Sequence, residues 1–309
     1  MFKNDSINSP FRYAGGKFYA RKLILEHVLY HNHYIEPFSG GASIFFAKKK
    51  VDENHLNDLD DNLINVFKII RDYPQELINF LVRKPMNENR ISEKFIASIE
   101  VGDPIPATKE LHGFFKNHYI PQNDIERAGR WYYLNRTSYS GIMNGQNMYW
   151  GYGDKFSMQP KNWPGNIKRA SLKLQGVKLT SLDFEHVIDN APSNALLFID
   201  PPYFNADQDK FYHRTFKKED HFRLLNCLQR NYKRLMIFLT YDNSPEIRKM
   251  YQWMKEIHDR EWNYCIQRTD DQKTKSSRKG ARYKGKELFI LNYNSYKPIQ
   301  QSLLQESLS

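Results

Sequence analysis

The chain has 309 residues, of which 40% are apolar, and a formal net charge of +11. That length allows one large or two modest packed domains, and the charge points to a polyanionic partner. The sequence has no long apolar stretch or amphipathic anchor and no signal-peptide apolar core over Met1–Ser6, and its two cysteines, Cys227 and Cys265, lack metal-ligand spacing. A membrane span, a disulfide framework and a cysteine metal site are therefore excluded, and a cytoplasmic chain with two buried thiols is expected.

In chain order, Arg21 to Tyr30 has a helical pattern with Leu23, Ile24 and Val28 on one side. Tyr34-Ile35 begins a short strand that runs into the glycine pair Gly40-Gly41. Ser43 to Lys49 opens a helix whose Ile44, Phe45 and Phe46 face inward. A second strand spans Val51 to Asn57 and ends at Asp58, and a helix over Leu63 to Arg71 is expected to stop near Pro74. From residue 76 to 170 the chain turns polar, helical in tendency and rich in aromatics, Asn and Arg, which reads as an insert. Strands return at Ser171 to Leu182, Ala195 to Ile199, Leu235 to Thr240 and Glu287 to Asn292. Helices alternate with them at Lys218 to Arg230 and Pro245 to Met254. Alternation of this kind predicts an α/β fold with a mainly parallel sheet. The tail after Lys297 is polar.

Two strand ends carry chemistry. The apolar run Ala195–Ile199 reads as a buried parallel strand, and Asp200-Pro201-Pro202-Tyr203 follows at its carboxyl end, where open α/β sheets place their sites. The amino group of adenine is a poor nucleophile because its lone pair is delocalised into the ring. A carboxylate such as Asp200 and a proline carbonyl can both accept hydrogen bonds from that amine and favour a pyramidal nitrogen. Pro201 and Pro202 have restricted φ and no N–H, so the carbonyl is a pre-aimed acceptor. Tyr203 can stack on a base that has left the helix. At the other strand end, glycines let the Gly40-Gly41 turn approach a ligand closely, and the helix behind it points N–H groups at what is bound. Asp58 follows Gly40 by 18 positions, close to the spacing at which a carboxylate meets ribose hydroxyls. Asp60 and Asp61 lie beyond that strand and are expected to cap the next helix.

These elements together resemble the Dam-like DNA adenine-N6 methyltransferases, which use S-adenosylmethionine. Phe11-Arg12-Tyr13-Ala14-Gly15-Gly16-Lys17 is similar to that family's opening Trp-Ala-Gly-Gly-Lys motif, and Tyr34 to Ser43, with Phe38, is similar to its glycine-bearing cofactor loop. Asn57-Asp58, Asp183-Phe184 and Asp200 to Tyr203 follow in the family's order. Ala42 stands where the family has the last glycine of that loop.

The resemblance implies a Rossmann-like class I methyltransferase core over residues 1–75 and 171–297. It also implies a mainly helical target-recognition insert over 76–170, with 298–309 as a tail. It makes Tyr13, Lys17, Phe38, Gly40, Gly41, Asp58, Asp183, Phe184 and Asp200 cofactor contacts. Lys17 would pair with the methionine carboxylate or near Asp200. Asp183 would accept from the cofactor's adenine amino group, with Phe184 against the ring. On the residues alone, Asp183 would equally well cap a helix starting at Glu185.

Trp131 to Gly141 resembles the family's Asn-Arg segment, making Arg136 and Tyr139 DNA candidates. Where Dam carries a guanine-reading arginine soon afterwards, this chain has Ile142 to Asn147. Asn144, Gln146 and Asn147 suit adenine edges instead, so a target other than GATC is expected. Lys275, Arg278, Lys279 and Arg282 lie in a Ser- and Gly-containing loop between two late strand candidates and suit the DNA backbone. Double-stranded DNA is therefore the expected partner, with base flipping and no metal. The resemblance allows a cognate restriction endonuclease, and the protein would act as a monomer or weak dimer. Two rivals stay open. One is cytosine-N4 methylation, which presents the same exocyclic amine. The other is a non-catalytic DNA-binding protein on a methyltransferase shell.

Overall fold

A computed structural model of the chain describes residues 6–13, 15–82, 104–145, 147–153, 157–204, 216–263 and 284–295. Its centre is set by the most apolar runs. β1 (His33–Glu36), β2 (Glu53–Asn57), β3 (Lys178–Thr180), β4 (Leu196–Ile199), β5 (Met236–Asp242), β6 (Glu256–Asn263) and β7 (Lys284–Leu291) form one sheet in the order β3-β2-β1-β4-β5-β7-β6. The first five pair in parallel, and β7 runs antiparallel between β5 and β6. This is the mixed α/β, Rossmann-like arrangement expected of the sequence.

Successive residues of a strand point to opposite faces, and here both faces are covered. Leu196, Phe198 and Phe238 join one apolar cluster, while Leu197, Ile199, Ile237 and Leu239 join the other. On the first side pack α2 (Ser43–Ala47), α3 (Asp61–Asp72), α4 (Pro74–Leu81), α5 (Lys109–Asn117), α6 (Asp124–Thr137) and α7 (Trp163–Leu174), so that Phe45, Phe67, Phe114 and Trp163 share one cluster. On the second side pack α8 (Phe184–Asp189), α9 (Lys218–Asn231) and α10 (Pro245–Tyr251). The short α1 (Arg21–Glu26) precedes β1. Cys227 is a free, buried thiol, and Cys265 lies outside the described residues.

Three local readings needed correction, and the expected stop at Pro74 holds. The strand expected from Ser171 is a helix as far as Leu174, because Ile167, Ala170 and Leu174 bury one helical face; Gly176, at φ +73°, then turns the chain, and only Lys178–Thr180 is extended. Pro74 does stop α3, but it also starts α4, where its missing N–H costs nothing. The first helix ends at Glu26, short of the expected Tyr30. β6 was not expected at all, since Glu-Ile-His-Asp-Arg-Glu-Trp-Asn is too charged to read as a strand; it is an edge strand, where charge is tolerated. Asp60 caps α3 as expected, accepting from the amides of Asn62 and Leu63.

Candidate active site

Strand order reverses between β1 and β4, and open sheets bind ligands at such a switch point. A cavity of about 440 Å³ lies there, between the ends of those strands. Tyr13, Lys17, Phe38, Gly40, Gly41, Asp58, Asp183, Phe184, Asp200 and Pro202 all line it, so nearly all of the proposed cofactor and catalytic residues converge on one space. Pro201 is buried behind it.

The glycine pair is required by a close approach. Gly40 has φ +45°, and a Cβ there would stand 2.8 Å from the ring of Tyr13. A Cβ on Gly41 would stand 2.9 Å from the Cβ of Tyr13. The Gly40 amide donates to Asp58 Oδ2 at 2.8 Å, so the carboxylate that ends β2 also shapes the turn that ends β1. Burial pushes the Asp58 carboxyl up to about 6. Ala42, at the family's glycine position, takes a left-handed conformation (φ 50°) that glycine would adopt without strain.

Asp200 is held from two sides. Lys17 Nζ lies 2.6 Å from its Oδ1 and 2.7 Å from its Oδ2, and Thr240 Oγ1 donates to Oδ1 at 2.8 Å. Lys17 itself is only 3% exposed, so it is a buried ammonium. Of its two expected partners, the structure pairs it with Asp200. Its Nζ also stands 4.9 Å above the Tyr203 ring and 3.7 Å from Glu287 Oε2. The Tyr203 ring lies 6.1 Å from that of Tyr241. At the end of β1, Glu36 is buried, accepts from the Tyr34 hydroxyl at 2.7 Å and the Phe45 amide at 2.8 Å, and burial pushes its carboxyl up to about 8.

The opposite wall is aromatic. Phe38 and Phe184 lie 5.3 Å apart, and Phe216 lies 5.6 Å from Phe38 and 5.7 Å from Phe184. Asp183 does cap α8, accepting from the Glu185 amide at 2.9 Å, and it also takes Arg223 Nη2 at 3.0 Å on each oxygen. That guanidinium stands 4.9 Å over Phe184. Asp58, Asp60, Asp61, Asp183, Asp200 and Asp220 line the cavity against Lys17 and Arg223 among the described residues, so its field is negative even with Glu36 held neutral by burial.

Sequence reasoning did not single out Glu36, Thr240, Arg223, Phe216 or Glu287. Glu36 sits inside a motif that was read for its glycines. Glu287 opens an apolar run, and nothing local shows which way it points.

The DNA candidates fall elsewhere. Arg136, in the last turn of α6, is 6% exposed, its Nε lacks a hydrogen-bond partner, and burial holds its guanidinium pKa below the usual value. It is thus an interior side chain and not a surface one. Tyr139 and Asn144 are half-buried, flanking the turn at Gly141. That glycine has φ +71°, and a Cβ would meet the Arg12 carbonyl at 2.3 Å. Gln146, Lys275, Arg278, Lys279 and Arg282 lie outside the described residues. No described helix is long and apolar enough to cross a membrane.

Comparison with known proteins gives the family. The family model of the D12 class N6 adenine-specific DNA methyltransferases matches residues 13–266. The Type II methyltransferase M1.LlaDCHI of Lactococcus lactis subsp. cremoris is 24% identical over 315 residues, covering 96% of this chain and 99% of that protein. The DNA N-6-adenine-methyltransferase of Escherichia phage P1 is 27% identical over 252 residues, covering 79% of this chain and 31% of that protein. The DNA adenine methylase of Vibrio cholerae is 20% identical over 250 residues, covering 78% of this chain and 83% of that protein.

Proposed function

We propose that this chain, which belongs to the D12 class of N6 adenine-specific DNA methyltransferases, transfers a methyl group from S-adenosylmethionine to adenine N6 at a specific site in duplex DNA, acting on a base turned out of the helix. The observation that carries this reading is the placement of Asp200. It closes β4 in the switch-point cavity, its carboxylate is fixed by Lys17 and Thr240, and Pro201, Pro202 and Tyr203 follow it.

The donor fits the residues present. An acid-rich cavity suits a sulfonium cation, and Phe38, Phe184 and Phe216 offer faces for a purine. Asp58, beside the Gly40-Gly41 turn and Tyr13, is the acceptor for a ribose hydroxyl in this reading. Asp183 remains in reach of the cavity although Arg223 already engages it. When bound, the cofactor supplies an electrophilic methyl group on sulfur.

The rest is done by the chain. Asp200 and the Pro201 carbonyl accept hydrogen bonds from the adenine amino group and draw its lone pair out of conjugation with the ring. Tyr203 stacks on the extruded base. The amine proton passes to solvent after the methyl group has arrived, when the positively charged nitrogen has become acidic, so no side chain needs to be a strong base.

Residues 76–170 act as the recognition insert on a catalytic unit formed by 1–75 and 171–297. Within the insert, Tyr139 and Asn144 are the DNA candidates, Arg136 being interior, while Lys275, Arg278, Lys279 and Arg282 supply phosphate contacts. Because several relatives are Type II methyltransferases, pairing with a restriction endonuclease is part of the proposal.

The test is to incubate unmethylated duplex DNA with the protein and labelled S-adenosylmethionine, then to separate the nucleosides and sequence the modified sites. N6-methyladenine at one short sequence is expected. N4-methylcytosine would sink the adenine assignment. Cofactor binding without transfer would favour a non-catalytic shell.

A further inference from the structure

Glu287 opens the apolar part of β7, where Leu288, Phe289, Ile290 and Leu291 are all fully buried. It is itself 1% exposed, and the hydrogen-bonding group that faces its carboxylate is the neutral Tyr203 hydroxyl. A buried carboxylate left in that condition is costly unless a charge answers it. The answering charge is Lys17, 3.7 Å from Oε2, and that same ammonium stands 2.6 Å from Asp200 Oδ1. Tyr203 and Asp242 complete the surroundings, together with Asp200 itself. Arg260, the register neighbour of Glu287 on β6, is directed to His27, with its Nη2 3.0 Å from the His27 Nε2. Burial pushes the Glu287 carboxyl up to about 7, Lys17 pulls it back, and Asp200 pushes it further up.

The arrangement raises a problem that a second carboxylate solves. Lys17 spans both oxygens of Asp200, and those are the acceptors that the target amine needs. We propose that Glu287 is a positioning residue for methyl transfer, sharing the Lys17 ammonium with Asp200 so that Lys17 shifts toward Glu287 when the amine engages Asp200. The inference rests on the function proposed above. Tyr203 lies beside the same ammonium, so the stacking ring is placed by the same charge. A neutral group at 287 would leave Lys17 fixed on Asp200, in competition with the substrate.

The test uses the full chain and the variants Glu287→Gln and Glu287→Asp. Thermal unfolding and calorimetry with S-adenosylmethionine establish that each variant folds and binds the cofactor. Single-turnover methyl transfer is then followed across pH, and the Lys17 ammonium resonance of the uncomplexed protein is followed by NMR. The anionic form of Glu287 is the one that holds Lys17, so the wild-type rate should fall as pH drops through about 7. Glu287→Gln should be roughly tenfold to a hundredfold slower and lack that limb, as expected for a misplaced catalytic group. Glu287→Asp should recover part of the rate. The Lys17 resonance should shift over the same pH range in the wild type and not in Glu287→Gln.

A folded Glu287→Gln protein with the wild-type rate and pH profile would overturn the proposal, as would a Lys17 resonance indifferent to the substitution. A wild-type protein that transfers no methyl group to adenine would sink both this inference and the proposed function. The wild-type rate therefore tells the two failures apart.

Discussion

Asn135 holds the main chain of Arg12 from both sides. Its Oδ1 accepts from the Arg12 amide at 3.0 Å and its Nδ2 donates to the Arg12 carbonyl at 2.7 Å, across 123 positions of sequence. Nδ2 also reaches the Gly141 carbonyl at 3.3 Å. One fully buried side chain thereby ties the segment carrying Tyr13 and Lys17 to α6 and the turn after it. Asn135→Ala leaves buried backbone groups unpaired, at about 1–3 kcal/mol each. Urea unfolding should show a loss of at least that size, and calorimetry should show weaker cofactor binding. Wild-type stability in this variant would contradict the role of Asn135 as a tie.

Asp200→Asn keeps the side chain's shape and removes its charge. Losing one transition-state acceptor costs about 3–4 kcal/mol, so turnover should fall roughly a hundred- to a thousandfold while the protein stays folded. Asp200→Ala should also be less stable than Asp200→Asn, because it takes away both oxygens that Lys17 now spans. Turnover near the wild-type value in a folded Asp200→Asn protein would remove Asp200 from the mechanism.

Glu36 supplies a pH signature. Its folded carboxyl is raised by burial from 4.5 to about 8. The folded state therefore holds this proton more tightly than the unfolded chain does, and stability is lost as pH rises from about 4.5 toward about 8. Glu36→Gln keeps an acceptor for the Tyr34 hydroxyl and the Phe45 amide but does not titrate. Its melting temperature should gain on the wild type across that window. Parallel curves would show that Glu36 does not titrate there.

Lys275, Arg278, Lys279 and Arg282 should contribute affinity without sequence preference. Neutralising all four should weaken binding to every duplex alike, and the salt slope should fall by about 0.9 for each phosphate no longer neutralised. A changed site preference with an unaltered slope would assign these residues to base readout instead.

The strands that build the sheet centre were legible in the sequence because their signal is local. Ala195–Ile199 and Leu235–Thr240 are apolar runs, and a strand covered on both faces needs nothing more to announce itself. The Gly40-Gly41 turn, Asp58, Asp60 as a cap, and Asp200 with its prolines were legible for the same reason, since each is defined within a few residues of its own strand. Charge at an edge hides β6, and Ser171 to Leu174 is a helix where a strand is expected because a short apolar pattern suits either.

What only the tertiary structure decided are the pairings across long separations. Lys17 and Asp200 stand 183 positions apart, and their contact turns an apparently ordinary helix-start lysine into a buried ammonium. Arg223 reaches Asp183 from α9, 40 positions on, and Arg136 is carried into the interior by the packing of α6. Periodicity and turn chemistry fix which elements form, because they depend on neighbours in sequence. Which charge meets which depends on how those elements pack, and no local pattern encodes that.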